Sequence, residues 1–350
     1  MGGSMFGTLF RVSTFGESHG GAVGVVVDGM PAGIRLEAAE VQKELDRRKP
    51  GQSSVTTPRK ESDEVEILSG IFEGQTTGSP VLLILYNTDA RSHAYDDIKN
   101  LFRPGHADFT FLKKYGLRDW RGSGRASGRE TAARVAAGVL AGKIIAQAGM
   151  MAKAWTTEAA GVVCSQEDLS VIESNPMRAC DSRAAEEMVR RVESLAAKGD
   201  SAGGIIACRV TGVPVGLGEP VFDKLEADLA KAMLSIGGVK GFEIGAGFAV
   251  ADMTGSQNND PMNQQGFLSN NAGGVLGGIS SGQDINFRIA VKPTSSISVA
   301  QQTVDINGQE REVRTEGRHD PCLCPRMVPV VEAMVNLVLA DHLLRSRAVK

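Results

Sequence analysis

Between Gly122 and Gly149 the chain reads GSGRASGRETAARVAAGVLAGKIIAQAG, and this stretch restricts the fold more than any other. Gly122, Gly124 and Gly128 loosen the backbone, and an alanine-rich helical pattern follows. Within that pattern Gly138 and Gly142 leave a nearly bare face, so a neighbouring element can pack closely. Ser127 and Glu130 stand at the S-x-x-E spacing of a capping box, which predicts a helix starting at Ser127. Positive charge crowds the approach. Arg103, Lys113, Lys114, Arg118, Arg121, Arg125 and Arg129 lead into the helix and Arg134 lies in it, answered only by Asp108, Asp119 and Glu130. A flexible basic loop feeding a helix N-terminus offers free N–H groups, a positive dipole end and guanidinium forks, a set that suits a small, multiply anionic ligand. For this segment alone the plainer alternative, a solvated cationic face with Ser127 as a simple cap, stays open.

The remainder of the 350 residues narrows the choice. Net charge is −3, so the basic cluster is local, whereas nucleic-acid binders carry a basic excess over a whole domain. Hydrophobic content of 42% is enough for a sizeable core. Glycine is used 42 times and aromatics make up only 5%, which implies many tight turns. Cys164, Cys180, Cys208, Cys322 and Cys324 follow no disulfide-framework spacing, and the N-terminal MGGSMFGTLFRVSTFGESHGG lacks a signal-peptide profile; a reducing cytoplasm is expected. The longest apolar run, Val328 to Leu344, is interrupted by Glu332, Asn336, Asp341 and His342, so it reads as a buried helix and no membrane partner is expected.

Alternation and helical spacing predict strands over 7–15, 24–28, 65–68, 81–86 and 205–215, and helices over 36–48, 184–197, 225–236 and 329–344. Residues 52–64 read as a polar, mobile loop, and 241–298 as glycine-rich short strands. Regular βαβ spacing is lacking. The expected fold class is therefore α/β of the α+β type, one large domain over 1–350 in which antiparallel sheets are layered with helices; a split near residue 200 is the weaker alternative.

There is no G-x-x-x-x-G-K-[ST] and no strand–G-x-G-x-x-G–helix unit, which argues against a P-loop and against a Rossmann fold. His319, Cys322 and Cys324 without a second pair make a poor zinc signature, so no metal is expected. Four polar islands remain in turns: Glu17-Ser18-His19, Arg103 to His106, Arg125 to Arg129, and Arg318-His319-Asp320. Singly each is weak, since a lone histidine is more often a surface or capping residue than a catalyst. In order along the chain, however, GESHGGAVGVVVDGMP (16–31), RPGHAD (103–108), GSGRASGRETAARVAAG (122–138), NNAGGVLGGISSGQ (270–283), KPTSSI (292–297) and RHDPC (318–322) resemble the signatures of the chorismate synthase family, from near residue 7 to residue 333.

The resemblance implies a β-α-β sandwich and a lyase that removes phosphate and a C6 hydrogen from 5-enolpyruvylshikimate 3-phosphate in a 1,4-anti sense. The product is chorismate, the last compound of the shikimate pathway and the precursor of the aromatic amino acids. Reduced FMN is needed without net redox change. Carried onto this sequence, Arg48, Arg103, Arg129 and Arg318 are the implied substrate clamps, with Ser18 and Ser127 beside them. His19 is the implied general acid for the leaving phosphate. His106 is implied to serve the pyrimidine end of the flavin, and Asp320 to assist proton removal from C6, relayed through flavin N5. Arg125, Ser127, Gly278, Lys292, Pro293, Thr294, Ser295, Ser296 and Arg318 are the implied FMN contacts. A homotetramer and an external flavin reductant are implied as partners, and whether this chain reduces its own flavin with NADPH stays open.

Three departures from the pattern stand out. Ser54 occupies a position that is basic in many members, with Arg59 or Lys60 as candidate replacements. Ala126 and Gly128 flank Ser127 where Ser and Ala are usual, and Gly237-Gly238 replaces a pair bearing side chains. Two other readings compete: a polyanion or nucleic-acid binding module built on 103–134, and a flavoprotein oxidoreductase with ordinary redox turnover. Salt-dependent nucleic-acid binding would mark the first, and stoichiometric consumption of reductant the second.

Overall fold

The computed structural model describes residues 3–57, 59, 61–88, 92–315, 317 and 319–349, with backbone alone at 92–94. Strands β1 (Met5–Phe6), β2 (Arg11–Gly16) and β3 (Ala22–Asp28) lead to helix α1 (Ala38–Arg48). Strands β4 (Val65–Ile67) and β5 (Val81–Tyr86) complete a first antiparallel sheet in the order β1-β2-β3-β5-β4. Helices α2 (Asp108–Tyr115) and α3 (Thr131–Gln147) follow. The second half contains β6 (Met151–Ala159), β7 (Val162–Val163), α4 (Ser182–Ala197), β8 (Gly204–Thr211), α5 (Leu225–Leu234), β9 (Val239–Ile244), β10 (Ile285–Val291) and α6 (Cys324–Ala348). Its strands form a second antiparallel sheet, β9-β10-β8-β6-β7.

Period-two alternation sets which face of each sheet turns inward. Val23, Val25 and Val27 on β3, Val81, Leu83 and Leu85 on β5, and Ile285, Phe287, Ile289 and Val291 on β10 are all buried. Between the sheets, α3 packs on β3 and β5, while α6 packs on β6, β8 and α3. One continuous hydrophobic core joins these layers. The two helices touch almost backbone to backbone: a β-carbon on Gly138 would come within 2.4 Å of the Ala333 β-carbon. By length and composition α6 could cross a bilayer, yet 83% of its apolar window is buried within the protein. Its buried Asp341 accepts backbone N–H bonds from Thr8, Leu9 and Phe10 (3.0, 2.6 and 2.9 Å) and so fastens the turn before β2.

Several expected boundaries move. The final helix begins at Cys324 rather than 329, because proline is tolerated in a first turn and Pro325 stands there. The S-x-x-E box does not form. Ser127 Oγ accepts from Arg129 N (3.2 Å) and caps a short turn over Gly128–Glu130, α3 starts at Thr131, and Glu130 turns outward to Arg134 (2.8 Å). Helix α2 and strand β6 were not expected. The segment 52–64 is irregular but not a free polar loop, since Val55, Thr56, Thr57, Glu61 and Asp63 are buried. Pro58 and Lys60 lie outside the described residues.

Candidate active site

Two guanidiniums and one carboxylate form the deepest part of the site. Arg48 ends α1, Arg129 lies in the turn before α3, and Asp63 comes from the segment between α1 and β4. Asp63 Oδ2 accepts from Arg48 Nη2 and Oδ1 from Arg129 Nη1. Side-chain exposure is 0% for Asp63, 1% for Arg48 and 3% for Arg129. Burial opposes the Asp63 charge, but the two guanidiniums outweigh it and hold the carboxyl below its ordinary range. Arg129 is otherwise satisfied by Asn87 Oδ1 (2.8 Å) and Tyr86 O (3.3 Å), while Arg48 Nε has no partner among the described residues.

Next to this group stands Asp320. Its Oδ1 accepts from Thr57 N (2.9 Å) and its Oδ2 from Arg326 Nη1 (2.5 Å). Arg326, near the start of α6, also reaches Arg48 O (3.1 Å), which ties the two carboxylate groups together. Thr294 Oγ1 donates to Asp320 O (2.7 Å), so the Lys292–Ser296 turn is joined to the same wall. Lys292 Nζ and Ser295 Oγ both reach Gly105 O (2.8 Å each), bringing that turn against the loop that carries His106.

Two imidazoles, His106 and His319, line the same cavity, and a third, His19, lies beside its Gly122. His106 Nε2 lies 2.7 Å from Ser123 Oγ, and its Nδ1 is 3.1 Å from Asp108 Oδ1 but out of line for a hydrogen bond. Burial lowers the His106 pKa, with Asp108 opposing and Arg103 assisting. His319 is lowered to about 4, by burial and then by Arg103, and its buried Nε2 has no partner among the described residues. His19 packs edge-on to Tyr95 (5.4 Å between ring centres), and its pKa is lowered by burial and then by Arg59. Gly122 makes the approach possible: with φ of 70° its missing side chain would come within 2.5 Å of His19 Cδ2 and 2.6 Å of Ser18 Oγ.

These groups surround a cavity of about 1180 Å³. Of the expected site residues, Ser18, Arg48, His106, Arg125, Ser127, Arg129, Lys292, Pro293, Thr294, Ser295, Ser296 and Asp320 line it. His19 sits behind Gly122 at its edge. Arg103 does not line it: Nε and Nη2 are bound to Asp108 (2.7 and 2.9 Å) and Nη1 to Gly122 O (3.0 Å), so it braces the wall instead of facing the cavity. Gly278 also stays away, in a hairpin turn against Lys224 that only glycine fits. Arg318 lies outside the described residues. Arg59 does reach the lining, paired with Glu61, as a candidate replacement for the base missing at Ser54.

Sequence reasoning missed Asp63, Arg326, Thr57 and Tyr95. The block of two basic and three acidic residues in RKESDE was the available signal for Asp63; Arg326, a single cation at the head of an apolar run, gave none. Part of the basic cluster turns inward, with Arg103 and Arg118 on Asp108, Arg129 on Asp63 and Arg134 on Glu130, while Arg121 pairs with Asp119 at the surface and Lys113 and Lys114 stay exposed. That pairing leaves little of its charge for a long polyanion.

Residues 10–344 match the family described as chorismate synthase. The chain belongs to the chorismate synthase family. It is 57% identical to the chorismate synthase of Methanosarcina mazei over 99% of this chain and 97% of that one. It is 54% identical to the chorismate synthase of Chloroflexus aggregans (99% and 97%) and 55% identical to that of Desulfosudis oleivorans (100% and 99%). A crystal structure of a chorismate synthase superposes with a TM-score of 0.77 at 30% identity, covering 97% of this chain and 93% of that one. The expected α+β class with antiparallel sheets agrees with that fold. Chorismate synthases are enzymes, lyases of the shikimate pathway, and this chain is one of them.

Proposed function

We propose that the chain converts 5-enolpyruvylshikimate 3-phosphate to chorismate and inorganic phosphate by 1,4-anti elimination, with reduced FMN bound in the same cavity. The observation that carries this reading is the meeting of Ser18, Arg48, His106, Ser127, Arg129, Asp320 and the Lys292–Ser296 turn around one space. At about 1180 Å³ that space exceeds the ~300–1,000 Å³ of a single small-ligand pocket, so it has room for two ligands. Its unpaired polar atoms, Arg48 Nε, Ser18 Oγ and His319 Nε2, suit ligands rich in oxygen and ring nitrogen.

Arg125, Ser127 and the Lys292–Ser296 turn would hold FMN. When bound, the reduced flavin supplies an electron-rich ring that eases phosphate departure without net oxidation. Arg48 and Arg129, with Arg318 as a further clamp, bind the anionic groups of the substrate and stabilise charge gathering on the leaving phosphate. His19 protonates that phosphate. Burial and Arg59 hold the free imidazole toward its neutral form, and an arriving dianion reverses this balance by favouring the imidazolium. Asp320, oriented through both oxygens, accepts the proton lost from C6, and His106, braced by Ser123, holds a proton in the same cavity.

The test is anaerobic phosphate release from the substrate with reduced FMN. His19→Ala and Asp320→Ala are each expected to lower kcat by ~10²–10⁴, with His106→Ala within that range. Absence of phosphate release by the unmodified enzyme would refute the reading. The whole chain acts as one catalytic unit in the cytoplasm, supplied with electrons by an external reductant. It assembles as a homotetramer, in which exposed apolar side chains such as Phe222 and Phe248 (92% and 82%) would be covered. Sedimentation should give a particle of four chains, and Phe222→Asp with Phe248→Asp should shift it to smaller species.

A further inference from the structure

We propose that Asp63 is the positioning residue of the phosphate clamp: it holds Arg48 and Arg129 side by side so that an arriving phosphate meets a pre-assembled pair of guanidiniums. The proposal rests on the function proposed above and names a residue that the sequence reading left in a loop.

The two cations come from separate elements, the end of α1 and the turn before α3, and nothing in the sequence requires them to meet. Left together without a counter-charge they would repel each other, and burial lowers the Arg129 pKa, with Arg48 adding to the effect and Asp63 opposing it. Asp63 gives one oxygen to each, is itself wholly buried, and pairs with no third cation among the described residues. Its placement is also locked. The backbone takes φ of 51°, Gln42 Nε2 donates to its carbonyl (3.2 Å), and Gln42 Oε1 accepts from Val65 N (3.1 Å). A non-glycine residue at positive φ is tolerated best when it is Asp or Asn. Because one carboxylate offsets one of two guanidiniums, the trio keeps a net charge of +1. Arg48 and Arg129 both line the cavity wall, and Arg48 Nε is buried there without a partner among the described residues. A net charge of +1 suits reversible capture of phosphate: strong enough to orient the substrate, weak enough to release the product.

Asp63→Asn keeps size and backbone preference but turns an amide N–H₂ toward one guanidinium, so one clamp arm should be displaced. Loss of a charge-assisted contact is expected to raise KM for the substrate and the inhibition constant of inorganic phosphate together, by about 10- to 100-fold, with a smaller change in kcat. FMN affinity, read from flavin absorbance, should change less than about twofold, whereas a merely structural role would weaken FMN binding in step. Unchanged KM and phosphate inhibition in a folded Asp63→Asn would overturn the proposal. Should that variant fail to fold, the unmodified enzyme supplies the test. With arginine-selective ¹⁵N labelling, inorganic phosphate should shift the side-chain signals of Arg48 and Arg129, and saturation with no shift in either would overturn it equally. If the enzyme released no phosphate from substrate, the functional reading would fail; an active enzyme insensitive at Asp63 would sink this inference alone.

Discussion

A buried imidazole that folds neutral must shed a proton that the open chain keeps, and His319 does so with a pKa of about 4 against 6.5. Between those values the unfolded chain binds the extra proton, so stability falls as pH drops from about 6.5 to about 4 and is fully restored above that window. The most that His319 can contribute is about 3 kcal/mol. His19 and His106 are displaced in the same direction and add to the slope, whereas Asp63 and Asp108, held low by their guanidiniums, lose their contribution only in more acidic solution. Urea unfolding of the unmodified enzyme and of His319→Asn across pH 4–7 checks this. The variant should show the shallower dependence, and equal slopes would show that His319 does not titrate as its burial requires.

At the scale of elements, the contact of α3 with α6 turns on Gly138. In an isolated helix Gly→Ala gains about 1 kcal/mol, but here the new methyl would meet Ala333 Cβ at 2.4 Å and Cα at 2.6 Å. Backbone cannot give way as a flexible side chain can, so Gly138→Ala should be destabilising by ~1–3 kcal/mol. Gly142→Ala, which meets only the movable Asn336 amide at 3.0 Å, should be near neutral, and denaturant unfolding of both variants separates the two cases. This pairing was legible in advance: an alanine-rich helix with two glycines had to accept a close neighbour. Apolar runs and alternation likewise revealed β3, β5 and β8, because each buries one face, whereas β10 lay hidden in the stretch read only as glycine-rich short strands. Strand β6 escaped since MAKAWTTEA mixes its faces, and α2 since aromatic and lysine residues obscure its period. In the site, islands bearing histidine and arginine could be picked out, but their partners could not. Asp63 meets Arg129 across 66 residues and Arg326 meets Arg48 across 278, and that Asp108 occupies the Arg103 fork shows only in three dimensions.

For the whole molecule, charge placement matters more than its sum. The chain carries −3, while its cavity is lined by Arg48, Arg59, Arg125, Arg129, Arg134, Lys292 and Arg326, several of them already paired with buried or half-buried carboxylates. A long polyanion approaching from solvent meets an acidic average, whereas the compact phosphate ester of the proposed reaction matches the size and charge of the cavity. The two should therefore part in a thermal unfolding series. Substrate or inorganic phosphate should raise Tm in a saturable way, by the equivalent of about 2.7 kcal/mol at 100 times its Kd. RNA at physiological salt should leave Tm unchanged, and any weak association should vanish steeply with added salt, because it would reflect only counterion release at exposed lysines and arginines. If RNA instead stabilised the fold as strongly as the phosphate ester did, the inward pairing of the 103–134 cluster would not hold in solution, and a polyanion-binding surface would have to replace the enclosed anion site.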